Sequence, residues 1–520
     1  MSRINTNVQS LIAQRTLGLN NRSLNVSLER LSTGLRINRG ADDPAGLIGS
    51  ENLRAEKTAL GAAINNAERA EQVVNIAEGG LTELSSLLNE VEGLVTSTAN
   101  NAGLSAEEKE ANQLQIDSIL QTIDRIASAT SFQGLRLLNG NFDYVTSNVS
   151  TDVATFKVNG AKLGFQETLD VDVVVTNSAQ VAGFYLSLGG TSLNLGAADD
   201  LFVLEISGSE GARELSFASG TTLASIVDAI NTFRDVTGVQ AAVSATGIRL
   251  SSTGLGSNEF VSVKVVDEGG IGTAGNIGLY NFATQDTNAA LTTLAAAFNT
   301  TSAGNGLTDR GQDVRATING IEAVTRGSNV AINTDFLNVE VDLDTGALGA
   351  GTANAQNLGR VDAFSITGGG ADFQLASQVD IAGKVSLGIT NVAARSLGRT
   401  VVDDSGTPLE YRLADLGGGK ALNVEDGDLN IAQRVIAASI QEVTSLRGRL
   451  GAFQRNTIGA TIRSLGIALE NTTAAESTIR DADFAAETAG LTRSQILVSS
   501  TTNILGIANT QPQSVLQLLG

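Results

Sequence analysis

The chain has 520 residues, a formal net charge of −21, 57 Gly, three Pro, one Met, and no Cys, His or Trp. That length exceeds a single hydrophobic core, so three or four domains are expected. The missing residue types exclude Ser-His-Asp and Cys-His catalysis, His-ligated zinc proteases, disulfides and Cys-ligated metal centres, and the acidic balance argues against a nucleic-acid binder.

Met1 to Arg39 reads as an amphipathic helix. Ile4, Val8 and Leu11 recur at helical spacing, and Leu24, Leu28, Leu31 and Leu35 fit a heptad seam, with a skip near Leu17 to Leu19. A helix of about 30 residues spans roughly 45 Å, and so narrow a stripe needs a partner along its length. The matching stretch is at the far end, where Leu497, Ile504, Ala508, Val515 and Leu519 recur at steps of seven and four, interrupted by Thr501 and Pro512. Residues 1–41 carry six Arg against one acid, Glu29, and residues 481–520 carry Asp481, Asp483 and Glu487 against Arg493. The two ends are therefore expected to pair with each other. Their leftover apolar surface would seek other molecules.

Between Asn38 and Gly46, Gly, Asp and Pro stop one helix and start another, with Pro44 at the first helical position and Asp42 or Asp43 as the N-cap. The second helix runs to about Asn101 along the seam Val74, Ala77, Leu81, Leu84, Leu88, Val91 and Val95, with Gly79-Gly80 as a candidate bend. Ser105 to Glu108 is a capping box for a third helix, which carries Ile116, Ile119, Leu120, Ile123 and Ile126 on one face and ends near Thr130. Phe132 to Phe142 turns into extended structure. From about 145 to 425 short Val- and Thr-rich runs alternate with Gly and Asn turns; Val171–Val175, Phe260–Val265 and Val339–Leu343 read as strands. One helix, Thr222 to Val236, is embedded among them. Helix returns near Leu429, with a seam of Ile436, Ile440, Val443, Leu446 and Leu450, then Ile458, Ile462, Leu465 and Leu469.

The fold class is therefore α+β multidomain. A discontinuous antiparallel helical bundle or coiled coil is built from both termini, and β-rich domains are inserted between its halves. The expected domains are 1–42 with 481–520 as terminal helices, 43–144 with 428–480 as a second helical domain, and a β-rich insertion, 145–427, divided into about 145–280 and 281–427. No 18-residue apolar run exists, so no membrane insertion is expected, and the N-terminus has no secretory signal pattern. This fits a cytosolic protein, or one exported by a route that ignores such signals. Gly417 to Lys420 lacks the spacing and the final Ser or Thr of a phosphate loop and reads as a turn. Asp342 to Gly346 lacks the remaining ligands of a calcium loop and reads as a strand-to-strand turn. No cofactor, metal or catalytic residue is assigned.

Several motifs carry a family resemblance. Leu31-Ser32-Thr33-Gly34-Leu35-Arg36-Ile37-Asn38, Ala41 to Leu47 and the segment from Phe132 to Gly140 resemble the N-terminal signatures of bacterial flagellin. Arg447 to Asn456, Ser477 to Ala485 and Ala508 to Leu516 resemble its C-terminal ones, and residues 201–255 resemble a repeat found in flagellin insertions. The resemblance implies a non-enzymatic, extracellular subunit of the flagellar filament that serves swimming motility. Its terminal helices would form an inner tube, its other helices an outer tube, and its insertion would face solvent. Such a chain would be exported unfolded by the flagellar type III system, which suits the absence of Cys.

The implied partners are further copies of the chain in a helical filament, an export chaperone at 481–520, and the filament cap and hook-junction proteins. The candidate assembly residues are Leu24, Leu28, Leu31 and Leu35 with Ile504, Ala508, Val515 and Leu519. In relatives recognised by the innate flagellin-sensing Toll-like receptor, an Arg and a Leu on the second helix and a Glu on the third are central. Here Glu90, Leu94 and Gln115 align with them, so weak receptor binding is expected. The alternatives are a hook–filament junction protein and a flagellin whose insertion acts as an adhesin.

Overall fold

The computed structural model describes residues 6–100, 103–164, 167–197, 199–244, 247–272, 276–281, 293–344, 358–404 and 407–519. In chain order its helices are α1 (Val8–Thr33), α2 (Pro44–Thr98), α3 (Ala106–Ala129), α4 (Leu223–Thr232), α5 (Arg234–Thr237), α6 (Thr301–Asn305), α7 (Leu429–Ala452), α8 (Gly459–Arg480) and α9 (Phe484–Leu519). A π-helical turn, Phe453–Ile458, joins α7 to α8. The chain divides into two compact units. One comprises Met1–Gln72, Gln374–Gly383 and Ala452–Gly520; the other comprises Val73–Phe373 and Lys384–Gly451.

Local chemistry sets the helix ends. Asn7 caps α1, its side-chain oxygen accepting from the Ser10 N–H at 3.1 Å. Gly34, at φ 73°, ends α1 in the left-handed conformation that Gly adopts at least cost. Leu35 therefore lies beyond the helix, bridged to Asp481, and does not extend the Leu24–Leu28–Leu31 stripe. Both candidate acids act before Pro44. Asp43 accepts from the Gly46 N–H at 2.9 Å, and Asp42 accepts from the N–H groups of Arg39 and Asn38, which hold its carboxyl below the ordinary range. The capping box of α3 is complete: Ser105 Oγ accepts from Glu108 N–H, and Glu108 Oε2 accepts from Ser105 N–H.

In the second unit all seven expected seam residues of α2, Val74 to Val95, are buried, as are Ile116, Ile119, Leu120 and Ile123 of α3 and Val435, Ile436, Val443, Leu446 and Leu450 of α7. Asn112 on α3 donates to Thr98 on α2, and Arg447 on α7 pairs with Glu78 on α2 at 2.9 Å. The glycine pair does not break α2, which runs unbroken to Thr98. Gly80 is instead a close-packing position: a Cβ there would stand 2.8 Å from Thr130 Oγ1 and 2.9 Å from Leu138 Cδ1. Gly417 to Lys420 forms a turn held by Asp117, which accepts from the Gly418 N–H at 2.8 Å.

The β-rich part has two cores. In the first, a five-stranded sheet (order Ile321–Glu322, Arg315–Ile318, Leu169–Asn177, Gly359–Gly369, Tyr144–Ser147) shares its buried face with a four-stranded sheet (order Val324–Arg326, Asn329–Asn333, Leu337–Leu343, Val153–Ala161). Val171, Val173 and Val175 point into it at the strand period of two. The second core joins Gly183–Ser187, Leu201–Gly208, Val239–Ser244, Gly247–Ser252 and Phe260–Asp267 to the apolar face of α4, Leu223, Ile226, Val227 and Ile230. The expected embedded helix is shorter than its sequence window, breaking at Phe233.

The cores are nested and do not follow one another in sequence. The second, Ala182 to Ala303, is inserted between Ala179 and Val314 of the first. The expected division near residue 280 falls inside the second core, where Gly278–Asn281 pairs with both Gly183–Ser187 and Thr293–Ala296. Asp313 clips the connection, accepting from the N–H and Oγ of Ser257 and from the Gly327 N–H. Desolvation is outweighed by these bonds, which hold its carboxyl below the ordinary range. Asp342 lies near the end of the strand Leu337–Leu343 and accepts from Ser328 Oγ at 2.6 Å; Thr345 and Gly346, the rest of the expected turn, lie outside the described residues.

Candidate assembly surface

The two ends of the chain meet. α1 and α9 run antiparallel, and polar bonds mark the seam from end to end. Asn7 Nδ2 donates to the Ala508 carbonyl at 2.7 Å, and Ser10 Oγ donates to Asn509 Oδ1 at 2.7 Å. Asn20 Nδ2 reaches the Leu497 carbonyl and Thr501 Oγ1 at 3.4 Å. Arg30 pairs with Glu487 at 2.8 Å, and Ser27 Oγ donates to the same carboxylate. The chain crosses from α8 to α9 beside the end of α1, where Arg36 N–H donates to the Arg480 carbonyl and Ala482 N–H to the Gly34 carbonyl. Within the same unit the first half of α2 is tied to α8 by Lys57–Glu476 at 2.8 Å and Arg480–Glu51 at 2.9 Å.

What this seam buries is unexpected. Its buried residues are Ser10, Ala13 and Ser27 on α1 and Ser494, Thr501 and Ala508 on α9. Thr501, read from the sequence as an interruption, is part of the seam. Small side chains let helix backbones approach closely, and their hydroxyls bond across the gap. The large apolar residues point elsewhere: Val8, Leu11, Ile12, Leu19, Val26 and Leu28 on α1, and Phe484, Ile496, Leu497, Ile504 and Ile507 on α9, are exposed. Of the candidate residues, Ala508 is buried in the pair and Leu24, Leu31 and Leu35 are half-buried. Leu28 is 46 % exposed and Ile504 52 %. The side chains of Val515 and Leu519 lie outside the described residues, and α9 continues through Pro512 to Leu519.

Burial of an apolar stripe on a soluble rod is worth roughly 25 cal/mol per Å². Two stripes left in water on one helix pair therefore favour a further partner, and the polar seam makes the pair without consuming them. Sequence periodicity finds such a stripe but does not say whether it faces the same chain or another. The signal that distinguishes them is the parallel run of Ser, Thr, Ala and Asn at helical spacing.

The second unit also carries a charged layer where α7 meets the strand Val153–Ala161. Arg449 donates to Asn159. Burial lowers the Arg449 guanidinium from its ordinary value, against the opposing fields of Glu340, Asp143 and Tyr144. Burial likewise lowers Lys157 and raises Glu442 and Asp143. It pushes the Tyr144 phenol up to about 12, whose Oη sits between the N–H and carbonyl of Ala161. Opposite charges in the layer oppose these shifts, and Arg449 Nε and Nη2 are buried without a hydrogen-bond partner among the described residues. Among the described residues no cluster of His, Cys, Asp and Glu fits a metal ion, and no helix is long and apolar enough to cross a membrane. Glu90 and Gln115 are exposed on α2 and α3, and Leu94 is half-buried.

Both helical ends of the chain and part of its β-rich middle match a known family. Residues 4–143 match the bacterial flagellin N-terminal helical region, 434–519 its C-terminal helical region, and 202–254 the flagellin hook IN motif. Flagellin of Salmonella typhimurium is 30% identical, with 99% of each chain covered. The chain belongs to the flagellin family. It is a structural subunit of the bacterial flagellar filament, with the helical ends and β-rich middle expected of its α+β class. Flagellin A of Helicobacter pylori is 27% identical, again over 99% of each chain. The flagellar cap protein FliD from Escherichia coli, at 17% identity, covers 48% of this chain and 64% of its own with a TM-score of 0.27, too low to carry an argument.

Proposed function

We propose that the α1–α9 pair is the polymerising element of this flagellin, and that copies join through the apolar stripes the pair leaves exposed. The observation that carries this reading is the division of labour on α9: Ala508 and Thr501 are buried against α1, whereas Ile496, Ile504 and Ile507 face water. A contact of this type is heterologous and does not close, so it generates a helix of subunits. Leu24 and Leu31, half-buried, border the stripe; Leu28 and Ile504 lie in it. The insertion, 145–427, is directed to solvent. The filament is extracellular, serves motility and is non-enzymatic. The chain is exported unfolded, with a chaperone on 481–520, and the filament meets cap and hook-junction proteins at its ends.

Leu28→Asp tests this. The variant is expected to keep its helix content and its thermal unfolding as a monomer, yet to form no long filaments under electron microscopy after seeding. Normal filaments would refute the assignment. A second reading concerns the innate receptor. Glu90 is exposed on α2 where receptor-active relatives carry Arg, and reversing that charge removes a cation from the contact. Glu90→Arg is expected to raise the potency of depolymerised protein in a receptor reporter assay; unchanged potency would refute this.

A further inference from the structure

The two β cores are joined where the chain leaves the first after Ala179 and returns to it before Val314. The outgoing and returning segments lie side by side. Gln180 N–H donates to the Gln312 carbonyl at 2.7 Å, and Gln312 N–H donates to the Gln180 carbonyl at 3.0 Å. One such bridge can act as a pivot. Relative motion is the default for domains joined by thin connections, unless a large apolar interface holds them. Here the buried apolar residues form separate clusters, one in each core. A cavity of about 370 Å³ lies at the joint, lined by Asn258 and Glu259 from the side of the second core and by Arg326 and Ser328 from that of the first.

The loop 253–259, between the strands Gly247–Ser252 and Phe260–Asp267 of the second core, spans this joint. Leu255 packs half-buried on the first core. Gly256 N–H donates to the Gln180 carbonyl at 3.2 Å, and Gly311 N–H donates to the Glu259 carbonyl at 3.0 Å. Asp313, on the returning segment, completes the contact. Its Oδ1 accepts from Ser257 N–H at 2.9 Å and from Gly327 N–H at 2.7 Å, and its Oδ2 accepts from Ser257 Oγ at 2.5 Å. One carboxylate therefore ties a loop of the second core to a hairpin turn of the first, and hydrogen bonds to an ionised acceptor are the stronger kind. Gly256 stands at φ 110°, and a Cβ there would lie 2.6 Å from Asp313 Oδ1 and 2.7 Å from Gly327 Cα. The loop closes on the carboxylate because residue 256 has no side chain.

We propose that Asp313 is a latch that sets the orientation of the second core on the first. With its three bonds the two cores move as one body; without them the second core swings about the Gln180–Gln312 bridge. The latch is a property of the single chain and does not depend on how copies assemble. Because the chain has no Cys, a pair of spin labels reads it in the full-length monomer. Ala154→Cys, exposed on the strand Val153–Ala161, marks the first core, and Ala224→Cys, exposed on α4, marks the second. Double electron–electron resonance is expected to give one narrow distance distribution when the rest of the chain is unsubstituted. The distribution is expected to be at least twice as broad in Asp313→Ala, and also in Gly256→Ala, which keeps the carboxylate but blocks its approach. Asp313→Asn, which keeps the size and one acceptor oxygen, is expected to fall between. Circular dichroism and thermal unfolding check that both cores stay folded. A broad distribution without any latch substitution, or an equally narrow one in Asp313→Ala and Gly256→Ala, would overturn the proposal. Unfolding of a core in Asp313→Ala would overturn it as well, since Asp313 would then belong to a core instead of latching two.

Discussion

Ile504→Ala separates assembly from folding, because the side chain is removed where the monomer makes little use of it. Ile504 is 52 % exposed on α9, one turn from the buried Ala508. Fully burying an Ile side chain is worth about 1.5–3 kcal/mol, so covering the exposed half in a filament contributes about 1 kcal/mol per subunit. Truncation to Ala forfeits most of that, and Ala is the better helix former, so the monomer helix is not weakened. Since 1.4 kcal/mol is a factor of ten in an equilibrium constant, the critical concentration for polymerisation is expected to rise about fivefold. Ile504→Asp would place an unpaired carboxylate in the contact and raise it by more than about a hundredfold, a cost of several kcal/mol. The assay is sedimentation of seeded polymer across a concentration series, with circular dichroism of the monomer as control. An unchanged critical concentration for both variants would show that this stripe faces water in the filament, and the assembly argument would fall.

Adjacent glycines in α2 should respond in opposite directions to the same substitution. Gly79→Ala meets nothing within 4 Å and is expected to stabilise by about 0.5–1 kcal/mol, whereas Gly80→Ala drives a Cβ against Thr130 and Leu138 and is expected to cost about 1–3 kcal/mol; urea denaturation of the two variants reads the difference. Leu84→Ala, at a fully buried seam position, is expected to cost about 3–5 kcal/mol in the unfolding of its unit, measured by calorimetry. Glu442 is raised by burial above its ordinary 4.5, with the Gly398 N–H, Lys157 and Arg412 opposing the shift and Arg449, Asp143 and Glu340 in the same charged layer. The stability its protonation contributes is complete below pH 4.5 and is lost as pH rises through the folded value. Glu442→Gln is therefore expected to be more favourable, relative to the unsubstituted chain, at pH 7 than at pH 4; a difference that does not vary with pH would contradict the burial argument.

Much of the helical scaffold is legible in the residues because its determinants are local. The α2 seam, the Ser105–Glu108 box and the Asp43–Pro44 start each rest on spacings of three or four residues, and each is found in place. The nested β cores were not legible. Pairing Leu169–Asn177 with Arg315–Ile318 across a whole intervening domain is a long-range choice that alternation of Val and Thr does not encode. A strand pattern identifies the face that is buried without naming the partner strand. The loop Gln374–Gly383 is illegible for a related reason: its order comes from the Gln374 and Asp380 side chains bonding to nearby backbone, which no hydrophobic period reveals.

The terminal pair shows where an amphipathic reading stops. The apolar periodicity of the two ends predicts that their stripes pair with each other. The chain instead joins its ends with Asn7, Ser10, Asn20, Ser27 and the Arg30–Glu487 pair, all directional contacts. A polar seam of this kind fixes register but contributes modestly to stability, since each of its part-buried hydrogen bonds is worth about 0.5–1.5 kcal/mol net. A pair held this weakly suits a subunit that folds late and becomes fully stable only when neighbours cover Leu28, Ile496 and Ile504. If that is correct, amide exchange in α1 and α9 should be fast in the monomer and at least a hundredfold slower in the filament, while exchange along the α2 seam near Leu84 stays slow in both. Equal protection of α1 in the two states would mean that the polar seam alone orders the ends.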